Sequence, residues 1–271
     1  MGTLHMPKSA TDTICESYVF QSETATIVID GGFESETESL YALIKSLGGN
    51  VDAWFFSHPH DDHYGAFCGV MKEHADEIHV KALYYNFPAD ELIIENAPRF
   101  ADATRKYLPM IRELTAANSI PVITMHKGDV YDFGDFSIHV LREPDVSITN
   151  NFINNSTTVF RLDSNGRRIM FLGDLGVEGG EQLLATVPAD ELKSEFVQMA
   201  HHGQQGVEKP VYDVISPDFC LWNTPTWLWD NMGDNGYDTG KYKTVIVRGW
   251  MSQIGIKKHY VNMNGPFEIE I

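Results

Sequence analysis

Three histidines and two aspartates occupy five of the six positions from His58 to His63, in the stretch SHPHDDHYG. Ionisable side chains at this density cannot fill an apolar core, so they need water, counter-charges or a metal ion. Imidazole and carboxylate groups are ligands that zinc, iron and manganese take in proteins. In the pattern H-x-H-x-D-H, His58 and His60 can hold one ion while Asp62 and His63 turn toward a second. The spacing therefore predicts a site for a pair of divalent ions.

Further candidate ligands stand where other apolar runs end. Asp174 lies in FLGDLG, His201 and His202 follow QMA, and Asp30 closes IVID. Taken alone, an Asp beside glycine is commonly a turn former, and a His after a strand is commonly structural. A metal cluster, however, must find its remaining ligands at similar strand ends, and one carboxylate can bind both ions. We therefore expect these side chains to converge at one edge of a sheet.

The segments that must position these residues alternate between strand and helix patterns. β-Branched and aromatic runs at 16–21 and 25–30 predict a hairpin, and an amphipathic helix is expected over 35–47. A short buried strand at 51–56 then leads into the histidine cluster, at the strand end where α/β sheets usually place their chemistry. The later runs favour an α/β fold with two mixed sheets packed face to face and helices outside, over a single doubly wound sheet.

Composition limits the classes of partner. The chain has 271 residues and a net charge of −18, from 20 basic and 38 acidic side chains. Such a surface repels phosphate backbones, so nucleic acid is not an expected partner. No apolar run approaches the roughly 18 residues that span a bilayer, and no signal peptide is evident. The chain as given is expected to be soluble and cytoplasmic, unless it is a piece of a secreted or membrane-anchored parent.

The N-terminus and the cysteines allow two smaller predictions. His5 and Met6 are consistent with a cloning remnant, so residues 1–13 are predicted to be an N-terminal extension or remnant and residues 14–271 a single domain. The three cysteines are too scattered for a disulfide framework or a thiolate metal site. Each is expected to be a small buried apolar residue.

The motif H-x-H-x-D-H, the strand-end Asp174 and a terminal histidine resemble the metallo-β-lactamase superfamily, from about residue 14 to the C-terminus. The stretches VIDGG, SHPHDDHYGAF, NNSTTVFRL, FLGDLG and MAHHGQQG look more narrowly like the metallo-hydrolase domain of DNA-uptake competence proteins. That branch includes phosphorylcholine esterases. The resemblance implies a four-layer αββα sandwich and a hydrolase with two divalent ions, zinc in the first place and manganese or iron(II) as alternatives. It also implies that a hydroxide bridging the two ions is the nucleophile.

Carried over by position, the resemblance assigns six side chains as metal ligands: His58, His60, Asp62, His63, Asp174 and His201. The first two belong to site one, the next two and the last belong to site two, and Asp174 belongs to both. We predict His201 as the terminal ligand because it directly follows the strand, with His202 as the alternative. His202 is then expected to stabilise developing charge or help the leaving group depart. Asp62 is expected to orient the nucleophile as well as bind metal, and Asp30 to position a histidine.

Two departures from the family pattern bear on these predictions. Many members give site one a further histidine before the bridging Asp, whereas the corresponding stretch here reads NNFINNSTTV. Site one is therefore expected to be completed by water, or by Asn154, Asn155 or Ser156. His139 lies inside a predicted strand and is interpreted as structural. The first strand of the family is not evident before residue 14.

The branch points to a phosphodiester, and an aromatic-rich stretch after the last metal motif suggests a choice among phosphodiesters. Trp222, Trp227 and Trp229 could surround a quaternary ammonium group, or they could pack a long loop. We predict a phosphodiesterase acting on a small or cell-wall-linked phosphoester, such as a phosphorylcholine ester. The alternatives are a thioesterase or lactonase of glyoxalase type, a nuclease-like competence hydrolase, and a non-catalytic metal-binding module.

Overall fold

Two seven-stranded sheets stacked face to face form the centre of the fold, in a computed structural model that describes residues 2–271. The first sheet contains, in spatial order, β16 (Phe267–Glu270), β1 (Thr3–Met6), β2 (Ser17–Gln21), β3 (Thr26–Asp30), β5 (Ala53–Phe55), β7 (Leu83–Tyr85) and β8 (Val122–Thr124). The second contains β15 (Lys258–Val261), β14 (Phe219–Trp222), β13 (Phe196–Gln198), β12 (Arg167–Phe171), β11 (Val159–Ser164), β10 (Phe136–Arg142) and β9 (Val130–Asp132). A small parallel pair, β4 (Asn50–Val51) and β6 (His79–Val80), lies apart from both sheets.

Both large sheets are mixed. In the first, β16, β1, β2 and β3 pair antiparallel, and β3, β5, β7 and β8 pair parallel. In the second, β9 to β12 pair antiparallel, and β12 to β15 pair parallel. The parallel strands of each sheet end at the same edge, where the loops that carry chemistry can meet.

Helices cover the outer face of each sheet. The longer ones are α1 (Thr37–Ser46), α2 (Asp61–Glu73), α3 (Asp90–Asn96), α4 (Ala101–Ala117), α6 (Val177–Thr186), α8 (Lys209–Ile215) and α10 (Thr244–Ile254). The short ones are α5 (Phe152–Asn155), α7 (Ala189–Leu192) and α9 (Thr226–Trp229), with single 3-10 turns at Glu34–Glu36, Pro98–Phe100, Ala200–Gly203 and Asn262–Asn264. None of these helices, within residues 2–271, is both long enough and apolar enough to cross a bilayer.

The strand leading to the histidine cluster shows how the layers are built. Phe55 points into the core between the two sheets, whereas Trp54 and Phe56 point outward and pack under α1, α2 and α4. Successive side chains of a strand face opposite ways, so a strand covered on both faces must be apolar throughout. Each such fully buried side chain contributes roughly 1.5–3 kcal/mol. The predicted αββα sandwich is confirmed.

A strand also forms before residue 14. Residues Thr3–Met6 pair with β16 on one side and β2 on the other, and Leu4 and Met6 are fully buried. This first strand is not evident in the sequence because two alternating apolar residues are too short a signal to identify. The origin of residues 1–13 stays a prediction. The three cysteines are buried and unpaired, as predicted.

Candidate metal centre

The candidate ligands come from loops that follow strands of both sheets. His58 and His60 lie between β5 and α2, and Asp62 and His63 lie in the first turn of α2. An Asp in the first turn of a helix is stabilised by the unpaired backbone N–H groups there. Asp174 follows β12. Its approach to the first loop requires Gly173, because a Cβ at that position would stand only 2.9 Å from the Cβ of Ser57.

These loops converge on Asp174. The Nε2 atoms of His58 and His202 lie 3.7 and 3.6 Å from its Oδ2, and the Nε2 atom of His63 lies 3.3 Å from its Oδ1. Two groups of potential ligand atoms, each mutually within 4.8 Å, share this carboxylate: His58, His60 and Asp174 in one, and Asp62, His63, Asp174 and His202 in the other. The arrangement places two donor sets side by side around a common carboxylate.

The polar atoms that face the centre of this cluster lack partners. Within residues 2–271, no hydrogen bond reaches Nε2 of His58, Nε2 of His63, either ring nitrogen of His60 or either carboxylate oxygen of Asp174. A buried polar atom without a partner costs about 1–3 kcal/mol, and more if it is charged. Imidazole and carboxylate donors left open in this way fit divalent zinc, iron or manganese.

The electrostatics of the cluster keep the carboxylates ionised. Burial pushes the pKa of Asp174 upward, but the surrounding histidines outweigh burial, and its pKa lies well below the usual range. Burial likewise raises the pKa of Asp62, yet His63 and His202 bring it below its ordinary value. His58 is different, since burial holds its pKa well below normal and leaves a neutral ring. Asp174, Asp30 and Asp62 raise the pKa of His63 despite its burial, and Asp174 and Asp62 raise that of His202. A divalent ion would take the place of these protons between the carboxylates and the rings.

The far nitrogens of three imidazoles face anchoring groups. Nδ1 of His63 lies 2.9 Å from Oδ2 of Asp30, and Nδ1 of His58 lies 3.1 Å from Oγ of Ser57. Asp30 also accepts hydrogen bonds from the backbone N–H and the hydroxyl of Ser57, both at 2.8 Å. Partners of this kind fix the ring orientation and the tautomer of a histidine, which leaves Nε2 free to bind metal.

Glu16 provides the third anchor, which sequence reasoning missed. Its Oε2 lies 3.6 Å from Nδ1 of His202, and both side chains are buried. Burial raises the pKa of Glu16 well above its ordinary value, although the imidazole of His202 opposes that rise. The available signal was a glutamate directly before the apolar strand β2, at a position where a carboxylate needs a partner.

The structure brings His202 into the cluster, and His201 stays at its rim. Both residues adopt left-handed backbone conformations, with φ of 53° and 55°, in the 3-10 turn after β13. This tight turn directs the first ring outward and the second inward. The turn can lie flat on the ring of Trp222 only because the next residue is Gly203, whose Cβ would stand 2.3 Å from that ring. His202, the alternative to His201, is therefore the side chain that joins the donor group of Asp62, His63 and Asp174, because position after the strand does not fix the direction of a side chain.

His201 still faces the cluster from outside. Its Nδ1–H can donate to the carbonyl of Gln205 at 2.9 Å, and its Nε2 lies 3.2 Å from Nδ2 of Asn154 and 3.7 Å from Asp174. Burial lowers the pKa of His201, so the ring is neutral at neutral pH. An uncharged imidazole at the mouth of the cluster can exchange a proton with a bound molecule.

Of the three side chains predicted to complete site one, two have other partners. Asn155 donates to the carbonyl of Asn150 and to Glu178, and it accepts from the backbone of Gly179. Ser156 donates to the carbonyl of Phe152. Both hold the loop rather than face the cluster, which leaves Asn154 as the amide beside it.

The tryptophans do not form a cage beside the cluster. Trp222 is fully buried and donates from Nε1 to His259. Trp229 packs edge-on against Trp222 at 5.1 Å, and the guanidinium of Arg248 lies over its ring. Only Trp227 is exposed, with its ring 5.7 Å from that of Tyr242. Of the two alternatives given for these rings, the packing of Trp222 and Trp229 agrees with a role in supporting the loop.

Comparison with known proteins supports the fold and the family. The family model of the metallo-beta-lactamase superfamily matches residues 10–206. ComE operon protein 3 of Bacillus subtilis (strain 168) is 24% identical over 159 residues, which are 58% of this chain and only 17% of that relative.

Solved structures agree with the sandwich. The metallo-beta-lactamase fold protein YhfI from Bacillus subtilis has a TM-score of 0.61 at 13% identity, with both chains covered in full. CmlA, a diiron beta-hydroxylase from Streptomyces venezuelae, has a TM-score of 0.59 at 10% identity, covering all of this chain and 54% of CmlA. Likeness at such low identity shows the fold alone. Because the family model spans most of the sequence, including the histidine motif and Asp174, the chain belongs to the metallo-beta-lactamase superfamily.

Proposed function

We propose that this chain is a hydrolase with two divalent metal ions and that its substrate is a small phosphodiester. The observation that carries the proposal is the set of open, buried donor atoms arranged in two groups around Asp174. His58, His60 and Asp174 would hold the first ion. Asp62, His63, Asp174 and His202 would hold the second. Zinc is the first choice for both, and manganese or iron(II) fit the same donors.

The chemistry that such ions supply when bound is a water activated near neutral pH and a positive field for the charge that develops during hydrolysis. The protein positions the side chains that would bind the ions. Asp30, Ser57 and Glu16 contact the far nitrogens of the ligand histidines, so the rings need little rearrangement to bind metal. Asp62 has one oxygen 3.6 Å from Nδ1 of His60 and the other 2.9 Å from Nε2 of His202, so it lies between the two donor sets.

We assign to His201 the catalytic role that was predicted for His202, which is to help the leaving group depart. The ring of His201 is neutral, its Nδ1–H is held by Gln205, and its Nε2 faces the cluster beside Asn154. In this geometry, Nε2 can accept a hydrogen bond from an incoming hydroxyl or return a proton to a departing oxygen. Asn154 can donate a hydrogen bond to a phosphoryl oxygen.

Two observations bear on which type of bond the enzyme hydrolyses. In residues 2–271, no further histidine joins the first donor group, whereas glyoxalase-type thioesterases and lactonases usually provide one there. This favours a phosphodiester over a thioester or lactone. Because Trp222 and Trp229 pack within the fold, they give no reason to single out choline esters, so we propose a small phosphodiester without a fixed head group.

A panel of substrates tests the proposal. Metal content is measured first, and the protein is then assayed with bis-p-nitrophenyl phosphate, p-nitrophenyl phosphorylcholine and a thioester. We expect about two metal ions per chain and turnover of the phosphodiesters. His60→Ala should lose most of that turnover, because His60 belongs to the first donor group and its ring nitrogens have no other partner.

His139→Ala is the matched control. His139 lies in β10, where its ring bonds to Ser137 and not to the cluster, so this variant should behave like the native protein. Turnover of the thioester alone would replace the phosphodiesterase proposal with a thioesterase. Bound metal without any turnover would favour a metal-binding module, and purified protein that binds no divalent ion would refute the proposal.

A further inference from the structure

Two cavities flank the proposed metal centre and meet at one residue. The first, of about 260 Å³, is lined by Asn96, Arg99, Phe100, Asn151, Phe152 and Asn154, among others. The second, of about 360 Å³, is lined by Asn150, Asn151, His201, Gln204, Lys241 and Tyr242, among others. Because Asn151 lines both, the two cavities are neighbours beside the cluster, and we refer to the pair of them as the groove.

Each of the two cavities has a lining residue that lies next to the proposed metal centre. In the first cavity, the ring of Phe100 packs edge-on against the ring of His60, with centroids 4.4 Å apart. In the second cavity, His201 lies with Nε2 3.7 Å from Asp174. A molecule whose reacting group is bound at the cluster therefore has room to extend in two directions.

Each half of the groove carries one cation without a carboxylate partner. Among residues 2–271, no Asp or Glu oxygen lies within ion-pair distance of Arg99 or Lys241. The guanidinium of Arg99 lies over the ring of Phe100 at 4.5 Å, and Nζ of Lys241 lies 5.2 Å from the ring centroid of Tyr242. Each cavity beside the proposed metal centre therefore offers a positive charge that no carboxylate neutralises, and such a charge can bind an anionic group of a ligand.

The remaining polar lining is mostly uncharged. Carboxamides of Asn and Gln predominate, and the first cavity contains no carboxylate. The second contains Glu178, whose two oxygens accept from Asn150 and Asn155. The end at Arg99 is therefore the more favourable one for an anion, since a guanidinium there can bind two oxygens of a phosphate at once.

We infer that the substrate carries a second anionic group, a phosphate, beyond the phosphodiester that reacts, and that Arg99 binds it. Lys241 provides a weaker anionic subsite at the other end of the groove. This inference rests on the proposed function, because it names the class of phosphodiester that the same site accepts.

A pair of substrates that differ by one phosphate tests the inference. Thymidine 5′-(p-nitrophenyl phosphate) is compared with its 3′-phosphorylated form, in the native protein and in Arg99→Gln, Lys241→Gln and Lys193→Gln. Lys193 lines neither cavity and has no ion pair within residues 2–271, so it is the matched control. The added phosphate should lower KM about tenfold in the native protein, the size expected of one charge-assisted hydrogen-bond pair that is partly exposed.

Arg99→Gln should remove most of that tenfold advantage, Lys241→Gln should remove a smaller part through the weaker subsite, and Lys193→Gln should leave it intact. The advantage should also shrink as salt rises from 50 to 500 mM, because the contact is ionic. Equal KM ratios in all four proteins, or no benefit from the added phosphate in the native protein, would overturn the inference.

A binding measurement separates this inference from the proposed function. Thymidine 3′,5′-bisphosphate is titrated by calorimetry into the native protein and into Arg99→Gln. If no phosphodiester is turned over but the bisphosphate binds about tenfold more weakly to Arg99→Gln, the proposed function fails and the anion site stands. If its affinity is the same in both proteins, the anion site is refuted whether or not the enzyme is active.

Discussion

The buried pair of Glu16 and His202 yields a prediction about one metal ion of the two. Oε2 of Glu16 lies 3.6 Å from Nδ1 of His202, and in residues 2–271 neither atom has a hydrogen-bond partner. Glu16→Gln keeps the volume of the side chain but replaces the carboxyl group that faces the ring of His202 with an amide. Glu16→Ala removes the polar group altogether, so nothing at this position can orient the ring.

The expected magnitude follows from these contacts. Loss of a partner that orients a ligating histidine weakens metal binding by about 10- to 100-fold, equivalent to roughly 1.4–2.8 kcal/mol. We expect Glu16→Gln near the lower figure and Glu16→Ala near the upper one. The effect should fall on the ion held by Asp62, His63 and His202, while the ion at His58 and His60 keeps its affinity.

The assay is a zinc titration of metal-free protein against a chromophoric chelator, with metal stoichiometry measured after dialysis at fixed free zinc. Glu23→Gln is the control, because Glu23 is an exposed glutamate in the turn between β2 and β3. Native affinity for both ions in Glu16→Ala would refute the reasoning. So would equal loss of both ions together with a lower melting temperature of the metal-free protein, since that result would indicate general damage to the fold.

Three further predictions concern the turn, the metals and pH. Gly203→Ala should lower the melting temperature and weaken zinc binding, because the added Cβ would clash with the ring of Trp222. The control is Gly255→Ala, which is also at positive φ but has open space around it. It should show only the backbone cost of about 1–2 kcal/mol in thermal unfolding. Zinc at 100 times its dissociation constant should raise the free energy of unfolding by about 2.7 kcal/mol, measured by denaturant titration with and without a chelator; an unchanged midpoint would contradict the proposed centre. Lys106 and Tyr107 hold the pKa of Glu34 below its ordinary value, so the contribution of Glu34 is present above pH 4.5 and disappears as pH falls through the lowered folded value. Glu34→Gln should therefore destabilise slightly at pH 7 in thermal melts, by an amount that falls as the pH is lowered below 4.5, and a difference that does not fall with pH would show that the carboxylate charge is not the cause.

The sequence and its family resemblance predicted the sandwich and most of the side chains that the structure brings together around Asp174. His58, His60, Asp62 and His63 are contiguous, so one loop and the first helical turn suffice to bring them together. The ends of neighbouring parallel strands meet at one edge, and this rule located Asp174.

The parts that failed depend on directions and on contacts distant in sequence. The choice between His201 and His202 rests on two left-handed backbone angles, which the sequence pattern does not reveal. The contact of Glu16 with His202 joins residues far apart in the chain, and neither residue signals the other. Trp222 supports the turn at Gly203, and aromatic composition alone does not distinguish such a ring from one that faces a ligand.

The proposed metal ligands come from both sheets of the sandwich. His58, His60, Asp62 and His63 follow a strand of the first sheet, whereas Asp174 and His202 follow strands of the second. Ions bound by these residues would cross-link the first sheet to the second. Separation of the two sheets at this edge would then require metal–ligand bonds to break. Metal binding should therefore slow amide hydrogen exchange in both sheets, well beyond the residues that contact the ions.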